Sequence, residues 1–161
     1  MRALLAYLVL EPERPHHREE LAGLLWPDWP DRSARTNLRN ALAILRRVIG
    51  DHTAHPAHLC ISHESIQFNR ASDHWLDVAA FRAVVEDEEV DLKRLEEALA
   101  LYRGPFLQGF AVEDSAPFED WASRAREEME RGQAMGMRGI KLINDYHGYP
   151  SEGGLIDIAC E

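Results

Sequence analysis

Arginine and asparagine on one side of a helix can read base-pair edges, and residues 32–50 offer that combination with no carboxylate among them. Arg32, Arg35, Arg39, Arg46 and Arg47 supply five positive charges, with Thr36 and Asn40 interspersed. At about 100° per residue, Arg32, Thr36, Arg39, Asn40, Ala43 and Arg47 fall opposite a stripe of Leu38, Leu42, Leu45 and Ile49, while Arg35 and Arg46 lie on the flank. Arg donates bidentately to guanine, Asn pairs with adenine, and flanking Arg side chains neutralise phosphates. Arg32, Arg35, Thr36, Arg39, Asn40, Arg46 and Arg47 are therefore the candidate DNA-binding residues. A solvated arginine face on a structural helix is the plainer alternative.

A second cluster, His52, His55, His58, Cys60 and His63, has nitrogen and sulfur donors of the kind that bind zinc. Its spacing matches no closed metal motif. If His58–Asn69 is a hairpin, alternation puts His58, Cys60 and Ser62 on one face and Leu59, Ile61 and His63 on the other, which divides the set. No metal and no cofactor are expected. Nor is an enzyme, since the chain contains no glycine-rich phosphate loop, no G-x-S-x-G elbow and no H-E-x-x-H helix. The carboxylates of Glu86–Asp91 read as a solvated run. Trp26, Trp29, Trp75 and Trp121 could stack on bases, yet each adjoins an apolar stripe or a proline turn, so core packing is expected of all four.

The net charge of −10 over 161 residues argues against a nucleic-acid partner only until it is divided. Residues 1–50 hold eight arginines against six acids, a balance of +2, and the remaining −12 belongs to residues 51–161. A mildly basic head on an acidic body suggests two surfaces with different partners. No apolar stretch is long enough to span a membrane and the N-terminus lacks the basic region, apolar run and small-residue cleavage site of a secretory signal, so no membrane partner and a cytoplasmic location are expected. Two cysteines, Cys60 and Cys160, fit a reducing compartment.

The elements that must position the basic face follow from periodicity and breakers. Leu4, Leu5, Leu8 and Val9 predict a helix over 2–11 that Pro12 and Pro15 stop, and Leu21, Leu24 and Leu25 predict a second over 17–26, closed by Pro27 and Pro30. The third runs over 33–49, with Leu38, Ala41, Leu42, Leu45, Val48 and Ile49 on its inner side and Gly50 as terminator. Short β-prone runs at Leu59–Ile61 and Ile66–Phe68 predict a hairpin, a candidate wing that would touch the DNA backbone. Beyond Trp75 the pattern is helical: 76–87, 91–103, a long helix over 115–146 and a further start near Ser151. Ser115 is a suitable N-cap with Pro117 in the first turn, and Phe118, Trp121, Ala122, Ala125 and Met129 form an inward stripe. Gly132, Gly136 and Gly139 share one face of that helix, as the close approach of a neighbouring helix requires.

Several strings in this order resemble one family. REELAGLLWPD (Arg18–Asp28) and LRNALAILRRVIGD (Leu38–Asp51) resemble the second and recognition helices of bacterial transcriptional activators of the antibiotic-regulatory-protein type. WLDVAAF (Trp75–Phe81), ALALYRGPFLQGF (Ala98–Phe110) and FEDWASRAREEME (Phe118–Glu130) are similar to the bacterial transcriptional activator domain of the same family. The resemblance implies a mostly α protein, an OmpR-like winged helix-turn-helix over 1–72 followed by an all-α tetratricopeptide-like domain over 73–161. It also implies double-stranded DNA, RNA polymerase or other transcription machinery, and a second copy in a homodimer as partners.

Family members carry a small β-sheet ahead of the first helix, whereas here Met1 opens at that helix. Leu4, Leu8 and Leu24 are accordingly expected to be partly uncovered. Gly148–Glu161 reads as the start of another helical repeat lacking its partner, so the chain is expected to be the front part of a longer product. The alternative functional class is a helical protein–protein adaptor whose shortened winged helix does not bind DNA. A third is a metal-binding sensor using the histidine cluster.

Overall fold

The computed structural model describes residues 1–85, 87, 89 and 91–146, with the side chains of 136–146 outside the description. The expected helix start near Ser151, the repeat fragment Gly148–Glu161 and Cys160 lie outside the described residues. So does half of the acidic run Glu86–Asp91. The protein is mostly helical with one small three-stranded sheet, in the order α1 (Arg2–Leu10), β1 (His16–His17), α2 (Arg18–Leu25), α3 (Asp31–Val48), β2 (Leu59–Ile61), β3 (Ser65–Phe68), α4 (Asp77–Val85), α5 (Leu92–Leu99) and α6 (Ala116–Tyr146). These elements form two compact units, Met1–His74 with Gly109–Ser123, and Trp75–Gln108 with Arg124 onward.

In the first unit, α1, α2 and α3 pack around Leu4, Leu8, Leu21, Leu25, Leu38, Leu42 and Leu45, all of them buried. Antiparallel strands close one side in the order β1-β3-β2, with Leu59 opposite Phe68, Ile61 opposite Ile66, and His16 opposite Ile66 across the other edge. Alternation decides which side chains enter: Leu59, Ile66 and Phe68 are buried and Cys60 is exposed. The expected second helix begins one residue late. His17 is strand because its neighbour Arg18 donates its backbone N–H to the Glu64 carbonyl at 2.9 Å, a tertiary pairing that local periodicity does not contain.

Leu4 and Leu8, expected to be partly uncovered, have no exposed surface, and Leu24 is half-buried. The segment Gly109–Ser123 belongs to the same unit and reaches the neighbours of these leucines. Ser115 donates its hydroxyl to the Leu24 carbonyl at 2.6 Å, the Trp121 indole N–H donates to Glu11 Oε1 at 3.1 Å, and the Trp121 ring meets Tyr7 edge-on at 5.1 Å between centroids. Phe118, fully buried, stacks its ring against Trp121 at 5.3 Å. Ser115 also caps α6 as expected, its hydroxyl oxygen accepting the Phe118 N–H at 3.3 Å. Two tryptophans depart from the core expectation: Trp29, in the proline turn before α3, and Trp75 are 51% and 69% exposed.

Under α1 lies a titratable cluster. His16 is fully buried, its Nε2 sits 2.6 Å from the Glu11 carbonyl and its ring meets Tyr7 at 5.0 Å. Glu20, one helical turn from His16, takes both guanidinium nitrogens of Arg14. Hydrogen bonding from Arg14, reinforced by its charge, holds the Glu20 carboxyl at about 2, against the opposing effect of partial burial. Burial and the Glu20 charge push the Tyr7 hydroxyl up.

The second unit pairs α4 with α5, the latter capped by Asp91, whose carboxylate accepts the Arg94 N–H at 2.8 Å. The expected helix 91–103 stops at Leu99. Turn-type bonds from Leu101 to Ala98 and from Tyr102 to Leu99 follow, and Arg126 fixes the loop by donating to the Phe106 carbonyl at 2.9 Å. Gly132 answers to the expected close approach: a Cβ there would stand 3.3 Å from Phe81 and 3.5 Å from Val85 on α4. The surroundings of Gly136 and Gly139 are outside the described residues.

Candidate nucleic-acid interface

Helix α3 has 18 residues and begins where Pro30 stops the preceding turn, its carbonyl accepting the N–H groups of Ser33 and Ala34 at 2.8 and 3.0 Å. It therefore starts two residues before the expected Ser33. The other end is set by Gly50, whose positive φ of 68° permits the left-handed turn in which the Asp51 N–H returns to the Arg46 carbonyl at 2.9 Å. Between these ends Ala34, Leu38, Ala41, Leu42 and Leu45 are buried. Val48, expected on the inner side, is instead 65% exposed, because it lies about 80° round the helix from Leu38, at the edge of the stripe in the last turn.

The opposite face is open. Arg32, Thr36, Arg39, Asn40 and Arg47 on that face, and Arg35 on its flank, are all exposed. Arg32, Arg39, Asn40 and Arg47 make no side-chain hydrogen bond or ion pair among the described residues, which leaves their donors available to a ligand. Arg35 is drawn back toward Glu19 Oε1 at 3.3 Å and Asp31 Oδ2 at 3.9 Å, both exposed partners that water screens. Thr36 donates its hydroxyl to the Arg32 carbonyl one turn earlier at 2.9 Å and keeps its oxygen lone pairs outward.

Arg46 stands apart. Its Nε donates to Asp51 Oδ2 at 2.8 Å and its Nη2 lies 3.3 Å from His52 Nδ1. Asp51, 2% exposed, uses its other oxygen to accept the Leu59 N–H at 2.9 Å. One carboxylate thus joins the end of α3 to the first residue of β2 and fixes the hairpin against the helix. Asp51 is not among the residues expected from the sequence. Its signal was available only as an acid immediately after a helix-terminating glycine, in a motif read for its arginines.

The hairpin turn Ser62–Ser65 is closed by the Ser62 N–H to the Ser65 carbonyl at 2.9 Å, and Arg18 supports it from behind by donating to the Ser62 carbonyl at 2.9 Å. The turn itself presents His63 and Glu64, with no Lys or Arg. His52, His55, His58, Cys60 and His63 are spread over the loop and hairpin, and among the described residues no three His, Cys, Asp or Glu side chains gather as a metal site. No described helix is long and apolar enough to cross a membrane. No family model, curated protein or solved structure matches the chain.

Proposed function

We propose that this protein is a DNA-binding transcription regulator of the activator type, which lays α3 in the major groove. The second unit then serves as a tetratricopeptide-like domain for dimerisation and contact with RNA polymerase or other transcription machinery in the cytoplasm. The observation that carries the reading is the outer face of α3, where Arg32, Arg39, Asn40 and Arg47 are exposed and uncommitted on a helix whose other side is buried. An α-helix of this diameter fits the major groove, and guanidinium and carboxamide groups there can distinguish base pairs. The order α1, β1, α2, α3, β2, β3 with a three-stranded antiparallel sheet supports a winged-helix reading of the first unit, in which β2 and β3 form the wing. The resemblance of residues 18–51 and 75–130 to antibiotic-regulatory-type activators points the same way.

The test is selection of duplexes from a randomised library by the full chain, followed by titration of the enriched duplex against scrambled DNA at fixed salt. The enriched duplex should bind at least about a thousandfold more tightly than the scramble. The double variant Arg39→Ala/Asn40→Ala should erase that margin. No enriched sequence, or an unchanged margin in the double variant, would refute the proposal.

A further inference from the structure

Beside that outer face α3 carries two apolar side chains that the fold does not use. Ile44 is 49% exposed and Val48 65% exposed, one helical turn apart on α3. Ile44 lies one turn beyond Asn40 and, seen down the axis, about 40° from it, with Arg47 about 60° away on the same side and Val48 about 40° away on the other. Ile44 is a branched aliphatic residue that faces water beside Asn40 and Arg47, on a helix that otherwise turns its leucines inward.

We infer that Ile44, with Val48 beyond it, is a specificity element that packs on the 5-methyl group of thymine in the major groove. This rests on the proposed reading of α3. Among base-pair edges in that groove the thymine methyl is the apolar group, and aliphatic side chains recognise it. Four residues of helix advance about 6 Å, close to two base-pair steps of about 3.4 Å. A thymine within about two steps of the base met by Asn40 is therefore in reach. Charge favours DNA over a second copy of this face, because a self-complementary contact would bring Arg39 and Arg47 against their own counterparts. Size argues likewise: two side chains fall far short of the roughly 800 Å² per partner that a stable protein interface buries.

The experiment uses the full chain and the duplex enriched from the library, with each thymine replaced in turn by deoxyuridine, which removes only the methyl. Wild-type protein should lose roughly fourfold in affinity at one or two positions, the value of one buried methyl. Ile44→Ala should bind the thymine duplex more weakly by a similar factor or more and be indifferent to deoxyuridine at that position. Val48→Ala provides the same comparison for a second methyl, and both residues are exposed enough that neither change disturbs the core. Uniform affinity of the wild type for every substituted duplex would overturn the inference while leaving DNA binding intact. An equal response of wild type and Ile44→Ala would do the same, as would a lowered oligomeric state in Ile44→Ala with unchanged DNA affinity. If no duplex is enriched at all, the reading of α3 fails and this inference with it.

Discussion

Removing the Asp51 carboxylate should detach the hairpin from α3, at a cost that follows from its three-way contact. Asp51 is buried and accepts two hydrogen bonds, from the Leu59 N–H and from Arg46 Nε. In Asp51→Ala the Leu59 N–H is left buried without an acceptor, which costs about 1–3 kcal/mol. The Arg46 side chain is 34% exposed, so water partly replaces its lost partner and that contact adds only about 1 kcal/mol. The expected total is about 2–4 kcal/mol. Asp51→Asn keeps one carbonyl oxygen for one of the two donors and should cost about 1–2 kcal/mol. Urea unfolding followed by tryptophan fluorescence reads these changes, because Trp26, Trp29 and Trp121 all lie in the first unit. With an m-value of about 2 kcal/mol per M, Asp51→Ala should lower the midpoint by about 1–2 M at constant slope, and Asp51→Asn by less. An Asp51→Ala midpoint equivalent to within about 0.5 kcal/mol of wild type, or equal losses in the two variants, would show that the carboxylate does not join helix to strand.

Arg39→Ala and Asn40→Ala should each cost about 1–3 kcal/mol of binding to the selected duplex, whereas Arg47→Ala, if it meets phosphate, should weaken all sequences alike and reduce the salt slope by about one; titrations at several salt concentrations separate the two behaviours. Arg46→Ala should lower thermal stability as well as DNA affinity, since Arg46 is committed to Asp51; an unchanged melting temperature would return it to the phosphate-binding set. Glu20 is held at about 2 by Arg14, so its contribution is present above the ordinary carboxylate value of 4.5 and is lost as pH falls toward 2. The unfolding midpoint of wild type should therefore decline more steeply between pH 4.5 and 2 than that of Glu20→Gln, and parallel declines would remove Glu20 from the account. Gly132→Val should destabilise the second unit by about 1–3 kcal/mol, because even a Cβ meets Phe81 at 3.3 Å; unchanged thermal unfolding would mean that α4 yields freely.

What the sequence disclosed and what it withheld divide along one physical line. Periodicity and breakers located α1, α3, the hairpin and α6 to within two residues, and the arginine face of α3 emerged from the wheel because both signals are local. Interactions between distant segments were not legible. His17 became strand through Glu64, 47 residues on. Leu4 and Leu8 are covered although no strands precede α1 in this sequence, in a unit where Ser115 and Trp121 reach back to Leu24 and Glu11. The family resemblance assigns Trp121 to a domain of residues 73–161 and its helical stripe turns it inward, but such a stripe tells that a face is buried without telling against what. The same limit explains the margin of α3's apolar surface: Leu45 lies near the middle of the stripe and Val48 at its edge, and one is 1% and the other 65% exposed. Burial of a helix face is decided by how far its neighbours extend, a tertiary quantity. Val48 lies past that extent at the edge of the stripe, and Ile44 lies beside the outer face, so both remain free to recognise something else. Amide exchange can separate cover from periodicity in the first unit: slow exchange at Leu8 in the wild type, and faster exchange there in Trp121→Ala, is the result expected if residues 109–123 hold α1 in place. Equal protection at Leu8 in both proteins would mean that α2, α3 and β3 suffice.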